Sequence, residues 1–339
     1  MGTEETKNRG KLILDATCAP ADITYPNDLG ILNQARKKTE RIIDSLYKNC
    51  HYKGTKKPRT YRKKARKDYL KVAKKRRPSR KERRWAIAKQ LQYIKRNLSS
   101  IETLINSGAD LSKLSPNKYK MLLVVTEVNR QQLWMYENES TRIDDRIVSV
   151  NQPHIRPIVR GKVGKPVEFG AKISVSCFDN YVFLDHLSWS NFNESRDFQD
   201  QIEEYKNFTG YYPSSVHVDK IYRTKANRAW CKERGIRISG PPLGRPPKNI
   251  SQEAKKQAID DERFRNAIEG KFGQAKRRFN LNLVMTKLPQ TSENKIAITF
   301  LVINLFTLVR QVYCLFMSLF LQNYKLGLIS EYPISFNDS

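Results

Sequence analysis

Cysteine is scarce and poorly spaced for chemistry: the 339 residues hold five, Cys18, Cys50, Cys177, Cys231 and Cys314, with no CxxC pair. Neither a disulfide framework nor a zinc site is expected, and the pattern suits a reducing cytoplasm. No Gly-rich phosphate loop occurs, which argues against an NTPase. The polar start, MGTEETKNRGK, has no apolar stretch of the kind a secretory signal needs. Above all the chain is short of acid, with 34 Asp and Glu against 63 Lys and Arg and a formal charge of +29. That balance points to a polyanionic partner, most simply nucleic acid, with an anionic membrane as the weaker alternative.

What is present excludes a disordered tail, because 39% hydrophobic and 10% aromatic residues can fill a core. One run, Ile296 to Leu321, is almost wholly apolar and reaches transmembrane length. It contains Asn304, Arg310 and Gln311, so the expectation is a buried helix packed behind a sheet, with no membrane partner.

From Lys53 to Arg96 the chain carries 21 Lys or Arg against only Asp68 and Glu82, interleaved with Tyr61, Tyr69, Trp85 and Tyr93. So much like charge repels itself unless phosphate or solvent neutralises it, which suits a DNA-binding surface and equally a solvated helical face or flexible arm. Arg62, Lys63, Lys64, Arg76, Arg77, Arg83 and Arg84 are the candidate DNA contacts here.

Periodicity orders the rest. KLILDAT (11–17) reads as a buried strand that stops at an acid, Asp15. Helices are expected from Asp28, where Leu29, Leu32, Ala35, Ile42, Ile43 and Leu46 recur at helical spacing, and from Pro116 to about Glu137. QPHIRPIVRGKVGKP reads as a loop. Val167–Phe178 and Tyr181–Leu187 read as strands joined by an Asp179-Asn180 turn. A helix over 197–208, a strand over 216–219 ending at Asp219, a helix over 225–234 closed by Gly235 and a strand over 236–239 follow; PPLGRPPKN then breaks the chain.

In DERFRNAIEGKFGQAKRRFN (261–280), Phe264, Ile268, Phe272, Ala275 and Phe279 make one apolar stripe. Arg265, Glu269 and Lys276 fall within ~40° of each other beside it. Taken alone, this is a surface acid pairing with two bases, worth only a few tenths of a kcal/mol. Taken with Asp15 and Asp219 at strand ends, it is a third carboxylate for a site that holds divalent cations. Asp185, Asp144 and Asp145 compete for the first position, while Asp179 is a turn residue. His217 is assigned to the opposite sheet face from Asp219 and to a structural role. Tyr222 and Arg223 are placed to touch phosphate or to start a helix.

KLILDATCAPADITYPNDL, FGAKISVS, HVDKIYRTKANRAWCKERGIRISGPPLGRP, RNAIEGKFGQAKRRFNLN and ITFLVINL span almost the whole chain. In content and order they resemble the bacterial insertion-sequence transposases of the DDE class. The resemblance implies an α/β, RNase-H-like mixed sheet flanked by helices, with a large basic helical insertion after the first strand. Residues 1–27 would be the first strand of the catalytic core, 28–140 the DNA-binding insertion, 141–325 the rest of the core and 326–339 a tail. It makes Asp15, Asp219 and Glu269 the catalytic and metal-holding acids, for two Mg²⁺ ions with Mn²⁺ as a substitute. Arg265, Glu269 and Lys276 match the spacing of a Tyr-Arg-Glu-Lys signature whose tyrosine position is Glu262 here, and Arg265 and Lys276, with Arg223, would hold DNA phosphates.

The implied reaction is nicking at transposon ends followed by 3′-hydroxyl attack on target DNA. Its partners would be double-stranded DNA and a second copy of the chain in a synaptic homodimer, in the cytoplasm at the nucleoid. Relatives carry a helical region ahead of the first acid, whereas 14 residues precede Asp15. End recognition is therefore expected in the basic insertion, or else the chain is a remnant that binds DNA without transposing. A stand-alone metal-dependent nuclease is the further alternative.

Overall fold

The computed structural model describes residues 7–49, 56–159, 167–241 and 251–330, with side chains as far as 322. The first six residues, the start of the basic stretch, the end of the 152–166 connector, the PPLGRPPKN break after its first proline and residues 331–339 lie outside the described residues.

Strand β1 (Lys11–Pro20) is central, and both of its faces are covered, which is why it reads as a continuous apolar run. Leu12 and Leu14 point to one side, Ile13 and Ala19 to the other. It runs on past the expected end at 17 because Ala16 to Pro20 continue the antiparallel ladder with β3 (Val167–Phe178).

Four helices follow: α1 (Asp28–Lys48), α2 (Arg62–Ala73), α3 (Arg80–Asn106) and α4 (Pro116–Glu137). Their starts are written in the sequence. Asn27 accepts from Gly30 N at 2.7 Å, Ser79 and Glu82 form a capping box, and Pro116 opens α4. The insertion has its own core, in which Leu32, Ile43 and Leu46 meet Ile94, Leu104, Val125 and Val128. Each such side chain contributes about 1.5–3 kcal/mol by burial. Inside this bundle the Arg36 guanidinium, 2% exposed, pairs with Glu40 and donates to Gln90 at 3.1 Å and Asn33 at 2.8 Å. The basic stretch is therefore ordered helix over much of its length, with Ala65, Val72 and Ala86 turned inward.

The Pro/Gly/basic connector is not all loop, since β2 (Arg156–Val159) forms within it. Pro157 can sit there because β2 lies at a sheet margin, where a missing N–H breaks no ladder. β3 and β4 (Tyr181–Ser188) are joined by Asp179 and Asn180 at φ 49° and 67°, as a tight hairpin requires. Then come α5 (Phe198–Thr209), β5 (Ser215–Val218), α6 (Lys225–Glu233), β6 (Arg237–Ile238), α7 (Gln252–Arg278) and α8 (Pro289–Ser330).

The sheet order is β2-β3-β1-β5-β6, with β4 also on β3; β1, β5 and β6 are parallel and β3 is antiparallel. It is a mixed sheet covered on both faces. Ile268, Phe272 and Ala275 of α7 and Ile296 of α8 pack on Ile13, Ile173 and Val175, while Phe198, Ile202 and Cys231 pack on Leu12, Leu14 and Val218.

The expectation of a buried 296–321 helix holds only for its first turns. Ile296, Phe300 and Ile303 are buried, but Leu305, Val309, Phe316 and Leu319 are exposed, because α8 outruns the short strand β4 it packs on. Its polar residues make the docking: Asn304 accepts from Val182 N at 2.8 Å and donates to Val182 O at 2.7 Å, and Tyr181 donates to Gln311 at 2.7 Å. The helix is long and apolar enough to cross a membrane by length and composition, which is weak evidence on its own. It also continues to Ser330, beyond the expected start of the tail at 326.

Candidate active site

Asp15 and Asp219 are brought together by strand register. Parallel pairing of β1 with β5 ends at Leu14 opposite Val218, and the next residue on each strand is an aspartate. Adjacent strands run about 5 Å apart, so the two carboxylates are neighbours. Asp15 is thus not at the end of its own strand, as expected, but at the point where the neighbouring strand leaves the sheet and makes room beside it. Asp219 begins a 3-10 turn and accepts from Lys220 N at 2.6 Å, while Asp15 accepts from Ala16 N at 2.8 Å.

Glu269 arrives from α7, whose apolar stripe lies on the Ile13 face of the sheet. Asp15, Asp219, Glu269, Arg265 and Lys276 all line one cleft of about 860 Å³. The helical phase of Arg265, Glu269 and Lys276 is thus the phase that faces the strand acids. The two bases also have partners of their own. Arg265 pairs with Glu262 at 2.7 Å and lies 3.6 Å from Glu269, and Lys276 donates to Thr17 Oγ1 at 2.9 Å.

Burial pushes the Asp15 carboxyl up to about 6; its bond from Ala16 and the Arg265 charge pull it back, and the Glu194 and Asp219 carboxylates push it higher. Glu194 is a fourth acid on this cleft and pairs with Lys172 at 2.8 Å. Lys172 is held in turn by Phe192 O at 2.7 Å. Neither residue is picked out by sequence pattern: Glu194 sits in a three-residue 3-10 turn without periodicity, and Lys172 is one polar residue of a long strand.

The competing acids lie elsewhere. Asp185 lines a different cavity, Asp144 and Asp145 line a third beside α4, and Asp179 is in the hairpin turn. The expectation that His217 points away from Asp219 fails, because residues two apart on a strand share a face. His217 is buried against Phe264 of α7, 3.6 Å from Asp261, and burial pushes its pKa down to about 4. Tyr222 is fully buried and Arg223 packs against Gly240; neither lines the cleft.

In the insertion, Lys63, Lys64, Arg76, Arg77 and Arg83 are exposed. Arg62 turns onto Asp44 at 2.7 Å and Glu40 O at 3.1 Å. Arg84 stacks over Tyr136 at 4.2 Å and pairs with Glu139 at 3.4 Å. These last two brace the bundle as well as adding charge.

Among the described residues no three Asp, Glu, His or Cys side chains are already close enough to hold a metal ion. The cleft acids share a space without being drawn onto one point. Their donors are all carboxylate oxygens, the ligand type that hard divalent cations take.

Residues 216–306 match the family model described as a transposase DDE domain. The match starts on β5 and ends within α8, and so contains Asp219 and Glu269 while leaving Asp15 outside it. The matched stretch is thus similar to the catalytic domain of DDE transposases. No curated protein matches the chain.

Proposed function

We propose that the chain is a DNA transposase that cuts at transposon ends and joins the freed 3′-hydroxyl to target DNA. The observation that carries this reading is the meeting of Asp15, Asp219 and Glu269 on one cleft of a strongly basic chain. The match of 216–306 supports it, and the order of antiparallel β3 beside parallel β1, β5 and β6 supports an RNase-H-like core.

Asp15, Asp219 and Glu269 would hold two Mg²⁺ ions, with Mn²⁺ as a substitute. Burial of Asp15 with no bonded cation among the described residues is the feature that fits them, since a carboxylate pushed up in pKa gains most from a positive neighbour. Such ions, when bound, lower the pKa of an attacking water or 3′-hydroxyl and stabilise the leaving oxygen. The chain's own residues do the positioning. Asp15 and Asp219 are set by strand register, and Glu269 is aimed by the packing of α7. Arg265 would exchange its contact with Glu262 for a DNA phosphate, with Lys276 alongside. Lys63, Lys64, Arg76, Arg77 and Arg83 would hold the duplex through its backbone without reading sequence. The protein would act at the nucleoid as a homodimer that pairs two ends.

The test is nicking of labelled transposon-end duplexes in Mg²⁺ or Mn²⁺ by the full chain and by Asp15→Ala, Asp219→Ala and Glu269→Ala. Loss of nicking in each variant with DNA binding retained is expected; activity that survives all three changes sinks the site. Joining of pre-cleaved ends to a target plasmid separates a transposase from a nuclease.

A further inference from the structure

A second cavity, of about 590 Å³, opens between β3, β4 and α5. In a chain of charge +29 its lining is anomalous: among the described residues it includes Asp185, Asp197, Asp200 and Glu204 and no lysine or arginine. Asp185 is there because of a bulge. Val175 pairs with Leu184 and Ser174 with His186, so Asp185 is the position the ladder skips. A bulge re-aims a side chain, here onto the cavity.

Asp185 accepts from Ser176 at 2.9 Å and from Gln201 Nε2 at 2.5 Å, and no cation pairs with it among the described residues. Its pKa is pushed up to about 6, by burial first and also by the Asp197 and Glu204 charges, against the pull of its two hydrogen bonds. Asp197 is taken by His186 at 2.9 Å, whereas Asp200 and Glu204 have no ion-pair partner among the described residues.

The independent sign of a ligand is Gln201. It is 2% exposed, its amide is oriented by the bond to Asp185, and its Oε1 accepts from no donor among the described residues. A buried acceptor is seldom left unsatisfied. An aromatic wall completes the site. Phe178 and Phe183 stack at 4.7 Å, and Phe208, 70% exposed at the rim, tilts against them at 5.6 and 5.5 Å.

We propose that this cavity binds a guanidinium or primary ammonium group, held by Asp185, Asp200 and Glu204, donating to Gln201 Oε1 and resting on the face of Phe208. Multidentate N–H donors suit the spread acceptors, and the aromatic face attracts an organic cation. A bare metal ion suits it less, because the aromatic wall of Phe178, Phe183 and Phe208 offers it no ligand. The same chemistry is offered by a small free polyamine or guanidine and by a Lys or Arg side chain of a second copy of this basic chain.

Agmatine and spermidine titrated calorimetrically into the full chain test the site. Saturable binding is expected, weakened about tenfold in Asp200→Asn and in Phe208→Ala and unchanged in Asp144→Asn, which lies in a different cavity. Asp200 and Phe208 are exposed, so neither change threatens folding. Sedimentation velocity on the same variants identifies the source. Self-association lost in both variants assigns the group to a second copy, and self-association unchanged beside weakened agmatine binding assigns it to a free cation. The proposal is overturned if neither cation binding nor self-association depends on Asp200 and Phe208.

Discussion

Lys276 of α7 donates to the hydroxyl of Thr17 on β1 at 2.9 Å, so the helix that carries Glu269 is laced to the strand that carries Asp15. Lys276→Ala removes both the tie and a cation, and on the proposed chemistry it should slow nicking by about tenfold to a hundredfold. Thr17→Val keeps the cation and should cost less than about tenfold. Single-turnover nicking at saturating Mg²⁺ measures both. Equal losses would mean that the tie matters and the charge does not.

The buried Arg36 pair makes a prediction about the insertion. Glu40 is itself buried, which pushes its pKa up against the pull of Arg36. Glu40→Ala strands the guanidinium and should cost about 3–5 kcal/mol in urea unfolding followed by circular dichroism. Replacing both partners together, Arg36→Met with Glu40→Leu, should recover most of that loss.

DNA affinity should separate the basic residues into two groups. Lys63→Ala with Lys64→Ala, or Arg76→Ala with Arg77→Ala, should weaken binding and reduce the salt slope by about 0.9 for each lost phosphate contact. Arg84→Ala should leave the slope unchanged and lower stability by about 1–2 kcal/mol, because its guanidinium is engaged with Tyr136. Fluorescence anisotropy across a salt series, with a parallel thermal melt, checks this.

His154 packs edge-on against Trp189 at 4.4 Å, and its pKa is pushed down to about 4 by burial first and by the Lys120 charge next. The unfolded imidazole titrates near 6.5. Between these values the unfolded chain binds the extra proton, so stability present above 6.5 is lost as pH falls toward 4. His217, also lowered to about 4, adds to the same window. His154→Leu should flatten the fall in denaturation midpoint over that range; an unchanged slope would refute the assignment.

Much of the candidate site's geometry was legible because its carriers obey simple periods. A strand covered on both faces reads as KLIL followed by an acid, and a helix with one apolar stripe places Arg265, Glu269 and Lys276 by phase alone. What stayed hidden depends on partners. That β1 runs on to Pro20 is decided by β3, and β2 forms around a proline only because the margin tolerates it. Glu194 and Asp185 sit in a short turn and a bulge, neither of which has a repeat to recognise. Arg36 and Glu40 look like any exposed i, i+4 pair until α3 covers them. The apolar run of α8 reads the same whether covered or bare, and its exposure followed from the length of β4.

The Asn304 amide gives Val182 both hydrogen bonds that a neighbouring strand would supply. A row of open peptide groups invites pairing with any extended chain nearby, and proteins blunt such rows in several ways. Here one carboxamide imitates a strand one residue long, and α8 behind it fills the space a seventh strand would need. Replacing it with leucine would leave the helix apolar and continuous but would unlatch the sheet, turning a closed border into a template for misassembly.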